Sequence, residues 1–498
     1  MKTRLSPILF VLLLATLVLS SWWWLRTGLA QKSVPLAPPP VSYDPLPGAT
    51  TRVSIANDGS QANNASMEAF ISADGSSVAF ISRASNLVSG DTNDYDDVFV
   101  HDWQTGITER ASVDSNGGQA NNTSWDPSIS ADGRYVAFHS DATNLVTGDT
   151  NKFCQYRDFQ AAIRHHPLPP TITPATPDPL PHNCTDVFVH DRQTRITERV
   201  SVASDGSQAN GGSYYASISA DGRYVAFYSN ASNLVSGDTN AAGDIFVHDR
   251  QIGGIERVSI ASDGSQANSG STEAKISANG RFVVFNSPAD NLVTGDTNGY
   301  WDIFVHDRQT GVTHRVSIAS DGSQGDQGSY GPTLSADGRY VAFSSYAGNL
   351  VDGDTGDLMD VFVHDRQTGV TQRASLASDG SQSNHQSFDA YISANGRYVS
   401  FHSAADNLVK GDTNASTDTF VRDVWRGITQ RVSLAGDGSQ GNSSVFGESS
   451  VSAEGHLVAF YSQASNLVAG DTNDTLDVFV HVRREMFIFL LPVIQNQP

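Results

Sequence analysis

The chain has 498 residues, with 31 Lys and Arg against 53 Asp and Glu, a net charge of −22. That balance excludes an ordinary nucleic-acid binder, which needs a basic face to displace counterions from phosphates. Only 17% of residues are charged and Gly numbers 43, a composition unlike a helical A/E/K/L-rich protein and in keeping with a β-rich one.

Residues 1–30 have the form of an export signal. Lys2 and Arg4 precede an apolar run over 8–25, interrupted by Thr16, Ser20 and Ser21, and Gly28-Leu29-Ala30 offers small residues for cleavage before Gln31. The length of the run and the trio Trp22, Trp23 and Trp24 suit an uncleaved anchor equally well. Either way the sequence predicts export: secreted, periplasmic, or tethered outside the cytoplasmic membrane through this segment alone. Residues 31–50, with Pro38-Pro39-Pro40, Pro45 and Pro47, read as an extended linker.

Residues 51–485 repeat. TERVSVASDGSQANGGSYYASISADGRYVAFYSNASNLVSGDTNAAGDIFVHDRQIGG, from Thr197, has close copies beginning near Thr51, Thr108, Ile255, Thr313, Thr371 and Thr429, seven units of about 58 residues. Four β-like runs can be marked in the copy from Thr197, at 198–203, 214–219, 223–229 and 244–248, with tight turns at 220–222 and 249–253. The third run is apolar on both faces, so it must be covered on both. Four-stranded antiparallel sheets stacked around an axis meet that demand, which predicts an all-β fold, a seven-bladed β-propeller. The repeat is out of phase with the blades: residues 52–56 match the run that ends a unit, and the last unit lacks that run. Pairing the two would close the ring and hide its edges. The apolar stretch 486–493 in the C-terminal tail (486–498) is the competing candidate for that last strand.

Ser-Ala-Asp-Gly-Arg-Tyr-Val-Ala-Phe (219–227, again 335–343) with Ile245-Phe246-Val247-His248-Asp249 is similar to the WD40-like (PD40) propeller repeat of TolB-type proteins. The resemblance spans about 51–484 and implies a propeller; it does not carry partners over, since such blades serve binding modules, peptidase domains and lyases alike. Ala stands where that family has Pro, and seven units stand where TolB has six.

The loop Gly-Asp-Thr-Asn-x-x-x-Asp is a candidate calcium site. Its oxygen donors at positions 1, 3 and 7 are Asp91, Asn93 and Asp97; Asp238, Asn240 and Asp244; Asp296, Asn298 and Asp302; Asp412, Asn414 and Asp418; and Asp471, Asn473 and Asp477. No closing Glu follows, and Asx turns are the alternative reading. The repeated pairs His101-Asp102, His190-Asp191, His248-Asp249, His306-Asp307 and His364-Asp365 are too numerous for one active site and read as buried structural groups. No H-E-x-x-H, G-x-S-x-G, Walker loop or C-x-x-C occurs.

The long connections should gather on one face, and binding residues concentrate on such loops. Tyr300 and Trp301 are the candidate exposed aromatics there. The second unit carries an insertion, 152–185, with seven prolines and with Cys154 and Cys184 at its base; in an oxidising compartment these should pair. Unit 197–254 has six acids and three bases, and its Asp205, Asp238 and Asp244 are expected to stand unmatched on the loop-rich face. The sequence thus predicts an exported, monomeric, non-enzymatic scaffold that binds a protein, glycan or cell-wall ligand through an acidic face, requiring no cofactor, with calcium as a candidate ligand. The alternative is a hydrolase or lyase in the central cavity using non-repeated carboxylates such as Asp326, Asp352 or Asp389.

Overall fold

The computed structural model describes residues 46–103, 105–150, 185–354 and 358–484. The N-terminal segment, the Cys154 and Cys184 pair, most of the insertion around it and the C-terminal tail lie outside the described residues. The rest is a seven-bladed propeller: seven antiparallel sheets of four strands, each a meander from first to fourth strand. In the third blade the strands are Ser213–Ile218, Tyr224–Ser229, Asp244–Asp249 and Gly254–Arg257. The fourth strand is shorter than the marked run, because past Arg199 or Arg257 the chain leaves the ladder for the loop to the next blade.

The second and third strands are buried on both faces, as their apolar alternation requires. Phe227 lies opposite Phe246 in the register, and the equivalent rings pack against each other in every blade, with Phe80 and Phe99 at 5.9 Å. Each core joins neighbouring blades: Val187 and Val189 of the second pack against Val225 and Phe227 of the third. On the hairpin face, the turn glycine of each of five blades sits on the aromatic ring of the blade before it. Gly222, at φ 73°, covers Tyr135, and any Cβ there would collide with the ring.

Those same turns are linked by backbone. The Ala220 amide donates to the Ala278 carbonyl at 3.0 Å, Ala278 to Ala336 at 3.0 Å, and Ala453 of the last blade to Ala73 of the first at 2.9 Å. Proline at these alanines would remove the donor, which gives the departure from the TolB-type pattern a physical reason.

The ring closes with the N-terminal strand. Thr50–Arg52 pairs antiparallel with Asp477–Val482, in the register Thr50↔His481 and Arg52↔Phe479. Beyond it Val53 and Ser54 still reach Val478 and Asp477. Deleting residues 1–56 removes this strand and uncovers an edge, and the single cooperative thermal transition, followed by circular dichroism, is expected to be lost. An unchanged melt would place the closure elsewhere.

Candidate functional site

On the loop-rich face each Gly-Asp-Thr-Asn loop folds over an arginine from the fourth strand. Arg110 Nη1 stands 3.3 Å from Asp91 and 3.2 Å from Asp97; Arg257 stands 3.4 and 3.3 Å from Asp238 and Asp244. The same triad recurs with Arg315 (Asp296, Asp302), Arg373 (Asp354, Asp360) and Arg431 (Asp412, Asp418). Arg52 of the closing strand serves Asp471 and Asp477. In the second blade Arg199 joins Asp149 to Asp186, a partner hidden in the sequence by the insertion between them.

The expectation that Asp238 and Asp244 are unmatched is therefore corrected: strand alternation sends the Arg257 side chain to the loop-rich end of its own blade. The oxygens proposed for calcium are already engaged. Asn93 donates its amide to Asp97 at 3.0 Å, while its oxygen accepts from the Tyr95 amide in an Asx turn. Asn298, Asn414 and Asn473 repeat both bonds, and Asn240 keeps the turn but donates to the Ala267 carbonyl. Among the described residues no group of three or more His, Cys, Asp and Glu could hold a metal. A guanidinium fixed between two carboxylates does not fit a hard cation that needs those same oxygens.

Burial, more than it is offset by the arginine, pushes Asp97 and Asp186 up to about 6. Burial likewise lowers the histidines of the third strand. His101, His190, His306 and His364 place Nδ1 at 2.8–3.0 Å from a threonine on the fourth strand. That hydroxyl gives its proton to a carbonyl of the preceding blade, as Thr108 does to Ile55 at 2.6 Å, so the neutral histidine must be the donor. These histidines are inter-blade struts. His248 faces Ile255, and its Nδ1 has no hydrogen bond.

Of the two candidate aromatics, Tyr300 is 46% exposed, whereas Trp301 is partly buried with its ring 6.5 Å from Tyr330. Asp326 and Asp352 lie exposed on loops, and Asp389 belongs to a different place. Each first strand carries a bulge, and its positive-φ residue is Glu68, Asp126, Tyr215, Glu273, Gly331, Asp389 or Gly447 in turn. These positions line the central channel near its loop-rich mouth. Contacts between the first strands of distant blades show that these strands surround the axis: Lys275 of the fourth reaches Glu448 of the seventh at 3.7 Å and lies 5.5 Å from the Phe70 ring of the first. Phe70 in turn meets Tyr391 of the sixth at 6.5 Å.

The carboxylates also tie blades together. Glu68 accepts from the Asp126 amide and Glu273 from the Gly331 amide, each at 2.9 Å. Burial opposes the charge on Lys275, yet Glu448, Tyr391, Asp126 and Glu273 hold it above its ordinary range. Beside Asp126 a nest of rings forms: His139 lies 5.4 Å from Trp125 and 5.6 Å from Tyr214, and Tyr214 lies 6.1 Å from Tyr228. Of this acid ring the sequence singled out Asp389 alone, because only the bulge turns these alternate positions toward the axis.

No family model and no curated protein matches the chain. Solved structures similar to it include TolB from Acinetobacter baumannii, at 14% identity over 72% of this chain and 64% of that one, with a TM-score of 0.37. Oligogalacturonate lyase from Vibrio parahaemolyticus matches at 11% identity over 86% and 92%, TM-score 0.46. The β-propeller domain of the Trilobed protease from Pyrococcus furiosus matches at 12% over 83% and 95%, TM-score 0.45. The likeness is one of fold.

The carboxylates divide into two classes with opposite pH behaviour. Asp97 and Asp186, raised above the unfolded value of 3.8, bind their proton more tightly when folded, so their contribution to stability is full below pH 4 and lost as pH rises through 6. Asp191, Asp307 and Asp365 are lowered by their paired arginines, and the stability they add above pH 4 is lost as pH falls further. Between pH 7 and 5 the folded state should gain on the order of 1 kcal/mol for each of Asp97 and Asp186. The buried neutral histidines lose stability over the same interval, so the measure is the difference from the parent: the melting temperature of Asp97→Asn/Asp186→Asn relative to the parent should fall between pH 7 and 5, and a difference that does not change with pH would refute the assignment.

Proposed function

We propose that the protein is an exported, non-enzymatic propeller that works as a monomeric binding scaffold at the cell surface, taking a basic protein, glycan or cell-wall ligand on its loop-rich face. The distribution of charge carries this reading. Arginines are tied inside the fold, to the loop carboxylates and, as Arg134, Arg223, Arg281, Arg339 and Arg397, to the aspartate that ends the third strand. Among the acids that face solvent, Asp58, Asp205, Asp263, Asp321, Asp379 and Asp437 stand one in a turn before each of six blades. Serine hydroxyl and backbone hydrogen bonds lower all six, so they are ionised at neutral pH. With the acidic channel mouth inside it, this ring gives a predominantly acidic face, suited to cationic partners.

The test uses the full chain against two probes, oligolysine and chitosan oligomers, in surface plasmon resonance. Binding should weaken as salt is raised from about 0.05 to 0.5 M, and Asp205→Asn/Asp263→Asn/Asp321→Asn should weaken it further at low salt. Absence of binding to both probes at low salt would overturn the reading.

Calcium at the Gly-Asp-Thr-Asn loops would have to displace seven arginines. Scanning calorimetry with Ca²⁺ and then with EGTA should leave the melting temperature unchanged; a rise with Ca²⁺ would restore those loops as cation sites.

The acid ring favours one second reading, a hydrolase or lyase working in the channel. Glu68, Asp126, Glu273, Asp389 and Glu448 are non-repeated carboxylates on one axis. Depolymerisation of a polysaccharide that disappears in Asp126→Asn and Glu273→Gln would establish it.

A further inference from the structure

On the opposite, hairpin face, the seam between the sixth and seventh blades holds a cavity of about 70 Å³. Its walls carry Arg397, Arg426, Arg483 and Arg484 against a single carboxylate, Asp423, in a chain whose net charge is −22. Arg397 holds Asp423 through Nη2 at 2.6 Å and Nε at 3.0 Å. Tyr398 lies between two guanidinium groups, Arg397 at 4.9 Å and Arg483 at 4.4 Å. Trp425, 59% exposed, stands 5.6 Å from Arg397 at the rim.

The other seams show what is different here. Arg192, Arg250 and Arg308 occupy the position of Arg483, and each pairs with a glutamate of the preceding blade: Glu109, Glu198 and Glu256. At the sixth seam that glutamate is Gln430, and Arg483 bonds instead to neutral acceptors, the Gln430 side-chain oxygen at 2.9 Å and the Gly455 carbonyl at 2.6 Å. Three more positions shift charge the same way. Val482 stands where the repeat has the aspartate of Asp307, Arg484 where it has Gln309, and Arg426 where it has Thr310. Two seams act as controls. Arg366 faces His314 without a glutamate, but Gln367 and Thr310 replace the two extra arginines; the fifth seam has Gln372 in place of the glutamate, but Val424 in place of the arginine.

A buried guanidinium lacking its carboxylate is costly, and supplying an anion relieves the cost. The fork of a guanidinium matches a planar carboxylate with two parallel hydrogen bonds. We infer that this seam is a binding site for a carboxylate-bearing small organic anion, whose carboxylate takes the place of the missing glutamate against Arg483, with the exposed Arg426 and Arg484 as its mouth.

Isothermal titration of the full chain at low salt with citrate, acetate and inorganic phosphate tests this. Citrate should bind with one-to-one stoichiometry and more tightly than phosphate. Arg426→Ala/Arg484→Ala should weaken it by at least about tenfold. Gln430→Glu supplies the carboxylate from the chain itself, as three other seams do, so it should fold as the parent does, raise the melting temperature and abolish citrate binding. No saturable heat with citrate or acetate up to about 20 mM, phosphate binding as tight as citrate, or citrate binding that survives Gln430→Glu would each overturn the inference.

Discussion

The structure hangs on one buried carboxylate per blade, the aspartate at the head of the third strand. Asp244 shows the pattern: Ser259 Oγ donates to it at 2.6 Å and Arg257 at 3.3 Å, while Gln266 approaches at 3.4 Å. A desolvated carboxylate must have such partners or lose its charge. Because they come from the fourth strand and the loop beyond it, satisfying one acid fixes the third strand, the fourth strand and the passage to the next blade together. In the last blade Asp477 makes the same demand, and Arg52, Ser54 and Gln61 answer it from the other end of the chain. Closure is thus specified by a polar node as well as by a strand ladder.

Much of this could be read in advance. A 58-residue period with strands apolar on both faces leaves few alternatives to a propeller, and the phase of the repeat at Thr51 points to the N-terminal strand as the closing one. The site was less legible. Arg199 follows Glu198 in the sequence, yet alternation along a strand sends adjacent side chains to opposite faces, so Arg199 serves Asp149 and Asp186 while Glu198 serves Arg250 of the next blade. The channel ring depends on bulges at Glu68, Asp126 and their equivalents, and a bulge leaves little trace in a strand whose residue count is otherwise regular. Lys275 and Glu448 are 173 positions apart, and only the radius of the ring brings them together.

The two faces differ for a common reason. Repetition makes every blade begin with the same internal ion pairs, so charge that appears at the surface comes from what each copy adds or drops. On one side, turn aspartates are added in nearly every copy and their effects sum around the ring. On the other, departures from two neighbouring copies accumulate in one place, where Gln430, Val482, Arg426 and Arg484 all fall at one seam. A uniform ring suits a broad, adaptable surface, and a local lesion in the repeat suits a small, specific one.

The closing strand has a consequence for how the molecule assembles. Thr50 and His481, which pair in the last blade, lie 431 positions apart, so the first strand to be synthesised is the last to find its place. Its sequence, TRVSIANDGSQAN, differs little from ERVSVASDGSQAN at the end of the second blade. Any third strand is therefore a chemically acceptable partner for it while the chain is still emerging. What reserves it for the seventh blade is proximity: each of the other six already has a fourth strand delivered by a turn of a few residues, and a short loop closes at far lower entropic cost than one spanning the whole protein.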